Sequence, residues 1–224
     1  MTPDTNETGD LTDAEKLQLS ELLQRLNDHD ASNALTVIES CLILIEGNSD
    51  VDKELVKKAA NALSRLRKIL NCKVSSITDE SVKWQPVAES FQSVAIKFKS
   101  IEIEINLPRK PEIAIGPILD RVFYVLVDNA INRGKATRMT VSAEVDQSTN
   151  DLLIFVKDNG RGIDQMIKER IFDKGVGENT GLGLFFARGI LLMKGIKIQE
   201  NGKPGHGACF ILRVPPQNYK NFKT

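Results

Sequence analysis

The chain has 224 residues, enough for one or two domains with a substantial core. Its thirty basic and thirty acidic residues cancel, which excludes a polyanion-binding field and, on charge grounds, nucleic acid as a partner. Cys41, Cys72 and Cys209 lie in dissimilar segments without metal-ligand spacing, no apolar run reaches the ~20 residues of a membrane span, and the N-terminus lacks a signal-peptide layout. The expectation is a cytoplasmic chain, or the soluble part of a longer one, with free thiols and no direct membrane insertion.

Residues 1–10 are polar and read as a disordered tail. Thr12-x-x-Glu15 is a capping-box pattern ahead of a long periodic run. Ala31, Ala34, Ile38, Cys41 and Ile45 recur at intervals of three and four, flanked by Leu35 and Leu42, which is a heptad seam. Gly47 to Asp50 breaks the helix, and Leu55, Ala59, Ala62, Leu66 and Ile69 repeat the spacing with Val56, Leu63 and Leu70 beside them. Residues 11–73 therefore predict a helical hairpin. One hairpin has two apolar stripes to bury, so pairing with a second copy into a four-helix bundle is the expected solution, and the chain is expected to be a homodimer. His29 falls opposite Ile38 on the helical wheel, away from the seam, with Asp30 and Asn33 on the same side.

After a short linker, Lys73 to Thr78, the pattern changes to strands alternating with helices, and residues 78–217 predict a second domain ahead of a tail at 218–224. Ile101 to Leu107, Met139 to Val145, Leu152 to Val156 and Phe210 to Val214 read as strands. Val122 to Ala130 is an apolar helical run carrying Asn129, and Gly183 to Met193, apolar all round, reads as a buried helix. This mixture suits an α/β sandwich with a mixed sheet and helices on one face, so that the whole chain is α+β. Two glycine turns stand out: Asp158-Asn159-Gly160-Arg161-Gly162-Ile163 after a buried strand, and Thr180-Gly181-Leu182-Gly183-Leu184 at a helix start. Glycines permit close approach of a ligand to the backbone, and free N–H groups at a helix start favour phosphate. Asp158 between them offers a carboxylate for an amino group such as that of adenine. The pattern suits a nucleotide site with its base and phosphate ends separately marked.

In order and context, Asn129, the Asp158–Ile163 turn, Ile171-Phe172-Asp173-Lys174-Gly175 and the Thr180–Leu184 turn resemble the N, G1, F and G2 boxes of the histidine-kinase/gyrase/chaperone ATPase superfamily, over about residues 78–215. The resemblance implies a Bergerat-type ATP-binding fold with ATP and Mg²⁺ as cofactors. It implies that Asn129 binds the metal, that Asp158 reads adenine with Gly160 and Gly162 at its turn, that Phe172 is the F-box aromatic, and that Thr180, Gly181, Leu182 and Gly183 meet the phosphates. Asp164 to Thr180 would be a lid over the site, with Lys174 and, near the N box, Arg133 as candidate phosphate cations.

The run His29-Asp30-Ala31-Ser32-Asn33-Ala34-Leu35-Thr36 resembles the phosphoacceptor box of sensor histidine kinases, whose dimerisation domain precedes the ATPase domain as it would here. By that resemblance His29 is the phosphoacceptor, Asp30 its general base and Asn33 a phosphatase residue. An ATP-dependent protein-histidine kinase would then pass the phosphoryl group to an aspartate on a response-regulator receiver domain, and would be able to remove it again. Three positions depart from the family pattern: Val125 stands where many relatives carry a second asparagine, Asn132 where lysine is common, and Ala208 where serine or threonine is common. They keep a phosphatase-dominant or phosphorelay protein with weak kinase activity as the alternative.

Overall fold

A computed structural model describes residues 83–107, 109–173, 175–176 and 183–222, with separate helical positions between 21 and 63. The chain divides into two compact units, Asp13–Asp79 and a larger one that holds Glu80–Thr224. In the smaller unit every described position is helical. Cys41 and Ala62 are buried, while Ile38 and Ala59 are half-buried, so these four seam positions are shielded as the heptad spacing predicts. Leu35 and Leu63, expected beside the seam, are 46% and 42% exposed. His29, Asp30 and Asn33 lie outside the described residues, as do the first ten residues, the turn near Gly47 and the linker. Among the described residues no helix is long and apolar enough to cross a membrane.

The larger unit is an α/β sandwich. Its elements in order are β1 (Trp84–Pro86), α1 (Val87–Ala95), β2 (Glu102–Asn106), β3 (Glu112–Ala114), α2 (Leu119–Asn132), β4 (Arg138–Val145), β5 (Leu152–Asp158), α3 (Gly183–Met193), β6 (Lys197–Glu200), β7 (Cys209–Val214) and β8 (Tyr219–Lys220). A five-stranded sheet runs β2-β4-β5-β7-β6, parallel between β2 and β4 and antiparallel elsewhere. A small second sheet, β1-β3-β8, joins the two ends of the unit, with the Lys220 ammonium 4.7 Å from the centre of the Trp84 ring and 3.2 Å from Glu112.

Alternation explains the sandwich. Leu152, Ile154 and Val156 of β5 are buried, as are Met139 and Val141 of β4, and Val156 stands between Val141 and Phe210 in register. Against this layer α2 buries Leu119, Val122, Phe123, Leu126 and Ala130, a helical stripe, and also Val125 and Val127. Phe91 of α1 meets Phe123 with ring centres 4.5 Å apart, both rings fully buried. Each large side chain buried this way stabilises the fold by roughly 1.5–3 kcal/mol. Helix α3 packs between α2 and β6, burying Leu184, Ala187, Ile190 and Leu191, while Arg188 is exposed.

The expected strands and helices appear with ends moved by a few residues. Five elements went unforeseen: β1, α1, β3, β6 and β8. Four of these are strands of four residues or fewer, too short to display a period of two.

Candidate functional site

Strand β5 ends at Asp158, and the turn after it is held from three sides. Asp158 Oδ1 accepts the Gly160 amide at 2.8 Å and the Ala208 amide at 3.2 Å. Asn159 Oδ1 accepts the amides of Thr137 and Arg138, both at 2.9 Å, while its Nδ2 donates to Thr137 Oγ1 at 3.0 Å. The Arg161 amide donates to Gly134 O at 2.8 Å, and the Gly205 amide to Arg161 O at 2.7 Å. Burial pushes the Asp158 carboxyl above the usual carboxylate range; the Gly160 and Ala208 amides pull it back, and the Glu200 charge adds to the rise.

These bonds join the turn to the helix that carries Asn129. Asn129 O accepts the amides of Arg133 and Gly134, ending α2, and Gly134 O then meets the turn. The Asn129 side chain is half-buried, and its Nδ2 is buried with no hydrogen-bond partner in the protein. A buried amide that spends none of its hydrogens on the fold is available to a ligand. One turn earlier on α2, Val125 is 8% exposed, and a Cβ on Gly183 would come 3.3 Å from its Cγ1. The start of α3 therefore sits on the Val125 methyl, where the family pattern would put a polar side chain. Asn132 donates to Asp128 Oδ1 at 3.1 Å.

The glycines of the first turn have a role that their sequence pattern does not reveal. A Cβ on Gly160 would lie 2.4 Å from Gly134 O, and one on Gly162, at φ +69°, would lie 2.7 Å from Lys203 O. Gly207, at φ +90°, is tighter still: its Cβ would fall 1.8 Å from Asp158 O. Glycine is required at these places by contact of protein with protein, before any ligand arrives.

Phe172 is buried, its ring edge-on to Phe210 at 6.3 Å with the Arg188 guanidinium 5.8 Å from its centre. It anchors a docked segment. Lys168 is pinned to the β6–β7 hairpin and Ile171 is buried with Phe172, so residues 168–172 are held on the domain, while Met166 N donates locally to Asp164 Oδ1 and its side chain is exposed. The segment from Asp164 to Thr180 expected as a lid thus includes these held residues. Lys174, Thr180, Gly181 and Leu182 lie outside the described residues.

The structure thus links Asn129, Asp158 and Gly160 through Gly134, sets Gly183 against Val125 of the same helix, places Gly162 beside Lys203 and Phe172 on Phe210, and leaves Arg133 at the end of α2. Sequence reasoning gave no role to Gly134, Asn159 or Gly207, or to Lys168 and Glu200. A signal for Glu200 was present: Ile196, Ile198 and Glu200 alternate, which puts a carboxylate on the apolar face of a strand. Among the described residues there is no group of three or more His, Cys, Asp or Glu side chains that could hold a metal.

Comparison with known proteins agrees with this geometry. Residues 115–218 match the family described as histidine kinase-, DNA gyrase B-, and HSP90-like ATPase. Sensor protein KdpD of Clostridium acetobutylicum is 25% identical over 185 residues, 78% of this chain and 20% of that protein. Sensor protein BceS of Bacillus subtilis is 28% identical over 156 residues, 64% of this chain and 46% of that protein. The chain thus spans less than half the length of these curated relatives. The histidine kinase AdeS of Acinetobacter baumannii shares the fold, with a TM-score of 0.63 at 19% identity over 84% of this chain and 98% of that one. Residues 115–218 of the larger unit, which hold the Asp158 turn and the helix of Asn129 it is tied to, form the part that matches the histidine kinase-, DNA gyrase B-, and HSP90-like ATPase family.

Proposed function

We propose that the chain is the ATP-dependent core of a protein-histidine kinase in a two-component system, a homodimer that phosphorylates His29 and passes the phosphoryl group to an aspartate of a response-regulator receiver domain. The observation that carries this reading is the junction at Gly134, which couples a half-buried adenine-type carboxylate, Asp158, to the helix of Asn129. Val125 and Gly183 bring the start of α3 to the same helix. Adenine's amino group would donate to Asp158, and the α3 start would face the phosphates.

Mg²⁺ fits these residues. It takes oxygen ligands, keeps several waters and needs only one or two protein groups beside the phosphates; the side-chain oxygen of Asn129, whose Nδ2 has no partner in the fold, would be one such group. When bound it supplies neutralisation of charge on the phosphates. The rest falls to the chain. Asp30 would hold the proton on one nitrogen of His29, fixing the tautomer, while the other nitrogen attacks the γ-phosphorus and the bond to the ADP oxygen breaks. An ordinary histidine is largely neutral at pH 7, so orientation is the main contribution of Asp30.

The test is labelling with γ-labelled ATP and Mg²⁺ in wild type, His29→Ala and Asn129→Ala. Acid-labile, base-stable label that vanishes in both variants is the expected result. Label that persists in His29→Ala would overturn the phosphoacceptor assignment. The apolar Val125 under Gly183 favours a second reading, in which kinase activity is weak and dephosphorylation through Asn33 dominates. ATP binding without labelling, together with accelerated loss of phosphate from a receiver domain, would select it.

A further inference from the structure

One buried ion pair takes no part in the chemistry above. Glu200 ends β6 with a side chain at 0% exposure, and the Lys168 ammonium, on a side chain 10% exposed, lies 2.9 Å from its Oε2. No hydrogen-bond donor is aligned on Oε2, so Lys168 is its counter-charge. The other oxygen, Oε1, accepts the Gly202 amide at 2.6 Å and the Cys209 amide at 3.0 Å. Lys168 also donates to Gly202 O.

We propose that Lys168 and Glu200 are positioning residues that set the Asp158 carboxylate for adenine, by fastening the β6–β7 hairpin to the segment that leads to Phe172. The proposal rests on the reading of Asp158 as the adenine acceptor. Glu200 Oε1 binds both rails of the hairpin, one residue from each end of the Lys203–Ala208 loop. The far end of that loop holds Asp158: Ala208 N donates to Oδ1 and Asp158 N donates to Ala208 O at 3.0 Å. Gly207 lies so close to Asp158 O that no side chain fits between them. A shift of the hairpin therefore reaches Asp158 directly. Lys168 sits four residues before Phe172, on the docked segment, so its bonds tie that wall to the same hairpin.

A pair kept only for stability has a simpler substitute, because apolar side chains of similar volume often replace a buried ion pair without loss. What they cannot replace is the direction of these bonds. Removing the ammonium alone would leave Glu200 charged in a dry site and drive the hairpin outward to hydrate it.

The experiment measures affinity of the full chain for ATP and for inosine triphosphate, which lacks the exocyclic amino group, alongside the melting temperature. The proteins are wild type, Lys168→Met, Asp158→Ala and the double variant Lys168→Met with Glu200→Gln. The double variant has no unpaired buried charge and keeps an amide oxygen for Gly202 and Cys209, so it avoids the larger cost that Lys168→Met alone leaves at Glu200. The expected result is an ATP preference narrowed about tenfold in the double variant at near wild-type melting, comparable to one misaligned hydrogen bond to a charged group. Both affinities falling in step with melting, at an unchanged ratio, would overturn the positioning role. A wild type without ATP preference, unaffected by Asp158→Ala, overturns the adenine reading and the proposal with it. A wild type that prefers ATP, with the preference lost in Asp158→Ala but kept in Lys168→Met and in the double variant, overturns the pair alone.

Discussion

The two ends of the candidate site are built on different principles. At the base end, Gly160, Gly162 and Gly207 each abut backbone oxygens closer than any side chain could tolerate. At the phosphate end, among the described residues, a Cβ on Gly183 would meet the Val125 Cγ1 methyl at 3.3 Å. Glycine at the base end is thus dictated by the fold, and its presence there says little about a ligand. At Gly183 the described residues do not demand glycine, and close approach of a phosphate is the reason proposed for it. Identical residue types in two motifs carry different information.

Gly207→Ala is the harshest way to break the contrast. It should cost about 3 kcal/mol or more, since backbone must move to admit the methyl. Urea denaturation checks this, and a loss under about 1 kcal/mol would show that the base end is not fixed by its own packing.

Asp158→Asn should separate binding from stability. ATP affinity should fall about tenfold to a hundredfold, the worth of a hydrogen bond to a charged group. Stability without nucleotide should not fall, because the asparagine keeps an acceptor for Gly160 and Ala208 and removes a buried charge. The sign follows from the raised carboxyl. The unfolded group ionises at about 3.9 while the folded one still holds its proton, so wild type loses stability relative to the variant as pH rises from about 4 through the folded value. Above that value the difference is constant. Melting curves of both proteins across this window, without nucleotide, would show the slope or its absence.

Gly183→Ala should do the reverse at the other end. Its stability should change by less than about 1 kcal/mol, since alanine favours the helix and one methyl can yield. ATP affinity should drop by about tenfold or more as the methyl intrudes on the helix start. Calorimetry that finds ATP binding unchanged would remove the phosphate reading of this glycine.

The smallest effect serves as a control outside both ends. The Ser148 hydroxyl and amide, then the Arg213 guanidinium, hold the Asp146 carboxyl far below the usual range. A depressed carboxyl contributes stability above its unfolded value of about 3.9 and loses it as pH falls below that. Ser148→Ala should be slightly less stable than wild type at pH 7 and converge with it in acid, with ATP affinity unchanged. This pH slope is opposite in sign to that at Asp158, so one series of melts distinguishes the two carboxylates.

Much of the site was legible because its pieces are local. The Asp158 turn comes after an apolar strand, Asn129 rides on an apolar helix, and Gly183 opens another; period and turn chemistry fix each within a few residues. The unlabelled parts are contacts between segments distant in sequence. Gly134 meets Arg161, Asn159 holds Thr137, and Lys168 reaches Glu200 across 32 positions of chain. Nothing local distinguishes Lys168 from a solvated lysine such as Lys197.

The sequence alone determined the longer strands and helices, the α/β class of the larger unit and which residues to expect at a nucleotide site, since these follow from hydrophobic period and from what glycine, asparagine and aspartate can do chemically. Tertiary structure decided which glycines serve packing, that Lys168, Ile171 and Phe172 are held on the domain, and that a buried carboxylate is bonded to the hairpin behind Asp158. The physical reason is range: dihedral preference and periodicity act over a few residues, whereas close contact, burial and the cost of a dry charge exist only once distant segments meet.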